Sequence, residues 1–150
     1  MKAIYFDMDG TIANLYGVEN WLDMLRAYDA TPYEQAKPLL NMQVLARVLN
    51  RKKREGYRIG VVSWLSKQPT ADYNERVATA KRKWLRKHLA SVEFDEIHII
   101  AYGTPKSSVV YVKGGILFDD ESPNRREWEE STEGAIAYDV QNILEILKEI

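Results

Sequence analysis

The sequence predicts an α/β fold: a three-layer, Rossmann-like parallel sheet with helices on both faces and a small helical cap inserted after the first strand. Three observations carry that prediction. Apolar segments of strand length alternate along the chain with segments of helical periodicity. The strands are short continuous apolar runs, as in a parallel sheet covered on both sides. Acids or other chemically active residues come after one strand after another, where ligands bind in such sheets.

The first strand is Lys2–Phe6, rich in Ile, Tyr and Phe. Residues 18–28 have helical spacing at Trp21, Leu22 and Leu25, and residues 30–38 hold two prolines and a break. A helix over 41–55 carries Val44, Leu45, Val48 and Leu49 on one stripe and stops at Gly56. A strand over 57–63, "YRIGVVS", leads into the loop "SKQPTADYN". A helix over 72–89 comes next, with Tyr73, Val77, Ala80, Trp84 and Leu85 as its stripe. Then come strand Glu96–Ile100, the loop "AYGTPKSS", and strands over 115–120 and 134–139. A closing helix turns Ile143, Ile146, Leu147 and Ile150 inward.

The chain of 150 residues is most simply one domain, with the cap at about residues 15–40. The formal charge of −1 argues against a general polyanion binder. With no cysteine there is no disulfide frame, thiolate zinc site or thiol nucleophile. No apolar run approaches the roughly 20 residues of a membrane span. The N-terminus lacks a signal pattern, because Asp7 interrupts it at once. The expected location is cytoplasmic.

At the carboxyl ends of the strands lie Asp7 and Asp9, then Ser63, then Lys106 in a following loop, then Asp119 and Asp120. Acids set one residue apart raise the free energy of each other's ionised form, so such a pair holds a cation, shares a proton, or both. Three acids at one rim suit a hard divalent cation, and Mg²⁺ binds through one or two carboxylates plus phosphate. A calcium loop counted from Asp7 fails, since Thr11 and Val18 occupy its ligand positions. Ser63 offers a hydroxyl, and the amides after it could face an anion. Lys106 offers a compact positive charge to phosphoryl oxygens. Aspartate is a competent nucleophile in phosphoryl transfer, and a second acid then handles protons. Gly10 would turn the chain sharply past the two acids.

"DMDGT" (7–11), "VVS" (61–63), Lys106 in its loop and "LFDDE" (117–121) resemble, in order, the four motifs of the haloacid dehalogenase-like (HAD) superfamily of phosphohydrolases. The resemblance implies that Asp7 is nucleophile and metal ligand. Asp9 would be general acid/base and lend its carbonyl to the metal. Ser63 and Lys106 would hold the phosphoryl group, Asp120 would touch Mg²⁺, and Asp119 would orient Lys106 or a metal-bound water. "FDMDGTIA" with "FDDE" is similar to the 5'(3')-deoxyribonucleotidase branch, whose cap occupies the same insertion point but is longer.

Each residue also has a plainer reading. Asp7 and Asp9 could form a solvated turn, Asp119 and Asp120 a helix N-cap with a spare acid, Ser63 a turn residue and Lys106 an exposed first-turn residue. Trp64, Tyr16 and Trp21 could stack on a nucleobase or pack locally. His88 and His98 read as structural. The basic runs 51–54 and 81–88 read as solvated helix faces, so a nucleic-acid partner is not expected. The expected activity is thus a Mg²⁺-dependent phosphatase acting on a small phosphorylated substrate, a nucleoside monophosphate first. The alternatives are a phosphatase for nucleic-acid ends or other large phosphorylated substrates, and a non-catalytic binding module of the same fold.

Overall fold

The computed structural model describes residues 1–67 and 70–150; Gln68 and Pro69, in the loop expected before the helix over 72–89, lie outside the described residues. In chain order the elements are β1 (Lys2–Phe6), β2 (Ala13–Asn14), α1 (Trp21–Arg26), α2 (Thr31–Gln35), β3 (Lys37–Pro38), α3 (Met42–Arg54), β4 (Tyr57–Trp64), α4 (Ala71–His88), β5 (Glu96–Ile100), β6 (Ile116–Phe118), α5 (Ser122–Ser131), β7 (Ile136–Tyr138) and α6 (Ile143–Glu149). Short 3-10 turns lie at Leu15–Gly17 and Lys106–Ser108.

Five strands form one parallel sheet in the order β5-β4-β1-β6-β7. Successive side chains of a strand point to opposite faces, and β1 buries both sets. Ile4 and Phe6 join Ile59, Val61 and Phe118 in a core covered by α3, α4 and α6, through Leu45, Leu49, Trp84, Leu85, Ile143 and Leu147. Ala3 and Tyr5 join Val62 and Leu117 on the other face, beneath Trp128 of α5. Trp128 meets Tyr5 edge-on at 5.5 Å and donates its indole N–H to Gly115 O at 2.9 Å. Each such fully buried large apolar side chain contributes about 1.5–3 kcal/mol relative to exposure. Gly60 lies opposite Tyr5, where an added Cβ would fall 2.7 Å from its ring.

Asn41 and Thr70 cap α3 and α4 by accepting from Val44 N and Tyr73 N, both at 3.1 Å. Gly56, at φ 98°, ends the chain's path out of α3.

The insert after β1 departs from expectation. The helix expected over 18–28 shortens to the six-residue α1, which comes after a 3-10 turn at Leu15–Gly17. The expected break over 30–38 contains α2 and β3, because Pro32 sits in the first turn, where it removes no helical hydrogen bond. β3 pairs with β2 as a small antiparallel ribbon. The insert is seated on α4 through Leu15, Tyr33, Tyr73, Val77 and Ala80. Trp84 also donates to Ala36 O at 2.7 Å.

The helix α5 has no counterpart among the expected elements: "SPNRREWEES" holds one large apolar residue, too few to show a period. No described helix is long and apolar enough to cross a membrane.

Candidate active site

β1 is central, with β4 and β6 on either side, so the segments leaving these three strands converge. Phe6 pairs with both Val61 and Phe118. The Asp7 amide continues the ladder to Phe118 O at 2.9 Å, which sets Asp7 beside Asp119 and Asp120. Gly10 lets the chain turn against the facing acid: it adopts φ 80°, and a Cβ there would lie 2.3 Å from Asp120 Oδ2.

Lys106 enters from the turn after β5 and is 3% exposed. Its Nζ donates to Asp7 Oδ1 at 2.8 Å and to Asp119 Oδ2 at 2.7 Å. Thr11 donates its hydroxyl to Asp7 Oδ2 at 3.0 Å, so both oxygens of Asp7 are held. Asp119 also accepts from Glu121 N and Asn124 Nδ2. Burial works against the charge on Lys106, but Asp7 and Asp119 prevail and hold its pKa above the ordinary lysine value.

Carboxylate oxygens of Asp7, Asp119 and Asp120 all lie within 4.8 Å of one another. Burial first, and then the charge of Asp7, pushes Asp119 up to about 6 and Asp120 up to about 8. A compact all-oxygen set under mutual repulsion fits a hard divalent cation. Asp9 stands outside this cluster, with its side chain turned away toward α4.

There it meets a residue that the basic run 81–88 had placed on a solvated face. Lys81 is 1% exposed, and its Nζ donates to Asp9 Oδ2 at 2.8 Å, Ser63 Oγ at 2.6 Å and Trp64 O at 2.7 Å. Burial raises the pKa of Asp9 above the ordinary carboxylate value, and Lys81 offsets this only in part. Lys52, in the other basic run, is likewise buried and paired with Glu55 at 3.0 Å. A readable signal marks both. Lys81 falls four residues after Val77 and four before Leu85, and Lys52 four after Val48, so each lies on the apolar stripe of its helix.

A cavity of about 660 Å³ opens above the acids. Asp7, Asp9, Trp64, Lys106 and Asp120 line it, whereas Ser63 and Asp119 are fully buried behind its floor. The Leu65 amide donates to Ile100 O at 2.7 Å, so that amide after Ser63 is not free to face an anion. Two aromatic pairs line the same cavity: Tyr16 with Trp21 at 4.9 Å, and Trp64 with Tyr102 at 4.8 Å. Trp64 is pinned by its indole N–H to Thr104 O at 2.8 Å. The His88 ring lies tilted against Trp84, and His98 pairs with Glu96; neither lines the cavity.

No family model matches the sequence, and no curated protein matches it. Among solved structures, the chain is similar to a D,D-heptose 1,7-bisphosphate phosphatase from Burkholderia thailandensis, with 11% identity and a TM-score of 0.58. The match covers 99% of this chain and 97% of that one. At that identity the likeness establishes the fold: a parallel α/β sheet sandwiched by helices, shared along nearly the whole length of both chains.

Proposed function

We propose that this chain is a HAD-like phosphomonoesterase that uses Mg²⁺ and works through a phosphoaspartyl intermediate on Asp7. The observation that carries the reading is the Lys106 ammonium held between Asp7 and Asp119, with Asp120 beside them, on the floor of a cavity large enough for a small ester. Mg²⁺ among Asp7, the Asp9 carbonyl and Asp120 would supply charge neutralisation to the phosphoryl oxygens.

Asp7 attacks phosphorus in line, the bond to the ester oxygen breaks, and Asp9 gives that oxygen a proton. Water then attacks the phosphoaspartate while Asp9 takes the proton back, and phosphate leaves with Asp7 restored. The raised pKa of Asp9 suits this traffic, since a carboxyl that keeps its proton can deliver it. Lys106 meets the phosphoryl charge from within the cavity, and Asp119 keeps its ammonium aimed there.

The proposed substrate is a nucleoside monophosphate. Its support is the pair of aromatic walls, which offer flat faces to a planar ring. A volume of about 660 Å³ also falls within the usual range for small-molecule sites. A second reading, a phosphorylated nucleic-acid end, is favoured by Arg26 and Lys67, exposed on the cavity wall without a carboxylate partner among the described residues. The deciding experiment measures phosphate release from mononucleotides, sugar phosphates and a phosphorylated oligonucleotide, with Mg²⁺ and with chelator. Release from none of them in Mg²⁺ defeats the enzymatic reading in favour of a binding module.

A further inference from the structure

We propose that Lys81 is a positioning residue of this site, tying the Asp9 carboxylate to the end of β4 so that Asp9 can serve the leaving oxygen. The inference rests on the phosphatase reading and assigns a role to a residue outside its catalytic set.

An ammonium has three N–H donors. Those of Lys81 reach three oxygens: Asp9 Oδ2, Ser63 Oγ and Trp64 O, at 2.8, 2.6 and 2.7 Å. Two of these belong to β4 and one to the turn after β1, so the side chain bridges two segments of the floor. The Tyr33 ring, centred 5.0 Å from Nζ, covers the ammonium from the cap side. Lys81 does not line the cavity. It therefore has no direct contact to offer a substrate, and any effect on chemistry passes through its partners.

The Asp9 side chain has Lys81 as its sole hydrogen-bond donor among the described residues. Without it, no donor among the described residues holds that carboxyl away from Asp7, two residues earlier. Lys106 draws Asp7 toward Asp119, and Lys81 draws Asp9 toward α4. The two lysines together hold apart acids that the sequence forces together. A purely structural position, four residues from both Val77 and Leu85 on a buried stripe, would be filled better by an apolar side chain. Burying an ammonium is costly unless its partners replace its hydration, and all three of the oxygens that do so for Lys81 lie at the floor of the site. Ser63 anchors the same bridge from beneath the floor.

The test replaces Lys81 with Met, which keeps length and removes the donors, and compares kcat/KM for the best alkyl ester or nucleotide with that for 4-nitrophenyl phosphate. The ratio kcat/KM reports steps up to loss of the leaving group. Nitrophenolate departs without a proton, so it bypasses the acid. Lys81→Met is expected to lose about 100-fold on the alkyl ester and less than about 5-fold on the nitrophenyl ester. In an Asp9→Asn background the same change is expected to add less than about 2-fold. Equal losses on both esters, no loss at all, or full additivity with Asp9→Asn overturns the proposal. If Lys81→Met does not fold, Lys81→Gln is read the same way; if neither folds, Lys81 is a structural ion pair and the proposal fails. A wild-type chain inactive on every ester removes the phosphatase reading and this inference with it, whereas an active wild type with equal losses removes only the inference.

Discussion

Asp7 on the cavity floor has both carboxylate oxygens hydrogen-bonded, and the Lys106 beside it is 3% exposed. Across the same cavity, α1 buries none of its residues. It is preceded by Asn20 at φ 60° and followed by Tyr28 at φ 57°, both in the left-handed region that side chains other than glycine rarely adopt. The floor is thus preorganised by charge and burial, the arrangement that stabilises a transition state without reorganisation. The α1 wall is held by the Tyr16–Trp21 ring contact and by Leu25 packed on the cluster around Tyr33 and Tyr73, between two left-handed residues. On the proposed reading, the chemistry falls to the buried floor and the choice of substrate to the α1 wall, which can change at little cost to the fold.

The sharpest way to break this comparison is Asp7→Asn. It is expected to lower turnover by about 10⁴-fold or more with the thermal midpoint little changed, because the proposed nucleophile would have no substitute. Retained turnover would show that the floor is not the reacting surface.

Asp120→Asn comes next, with an expected loss of about 100-fold or more in Mg²⁺-dependent turnover. It also carries an opposite stability effect. A carboxyl whose folded pKa is raised to about 8 binds its proton more tightly folded than unfolded. Stability therefore falls as the pH rises past the unfolded carboxylate value, and the loss levels off above about 8. In chelator at neutral pH the Asn variant is expected to melt higher than the wild type, with the difference shrinking as the pH is lowered toward the ordinary carboxylate range. A lower melting point at neutral pH would mean that Asp120 is not held against repulsion.

On the α1 side, Trp21→Ala is expected to raise KM for a nucleotide by about 5–10-fold while leaving a phosphate ester without a ring nearly unaffected. Equal effects on both esters would remove the ring-binding role. The smallest effect belongs to Asn20→Gly, which relieves a left-handed backbone. It is expected to stabilise the protein by at most about 1 kcal/mol, read by denaturant unfolding, with kcat unchanged.

The central strands and the acids that come after them were legible because both are local facts. A continuous apolar run calls for a strand covered on both faces, and an acid directly after it must emerge at the carboxyl edge. Asp7, Asp9, Asp119 and Asp120 met those conditions, and the structure brings Asp7, Asp119 and Asp120 into one cluster. The insert was less legible, since six helical residues, none of them fully buried, leave little period to read.

Sequence alone thus determined the sheet, the order of its strands' chemistry and the acids at its edge, because apolar run length and residue adjacency act within one segment. Only the tertiary structure decided what surrounds each acid. Whether a lysine on a basic helix meets water or a carboxylate depends on which face the rest of the chain covers. The packing of α4 under Tyr33 and against β4 turned Lys81 from a surface cation into the partner of Asp9.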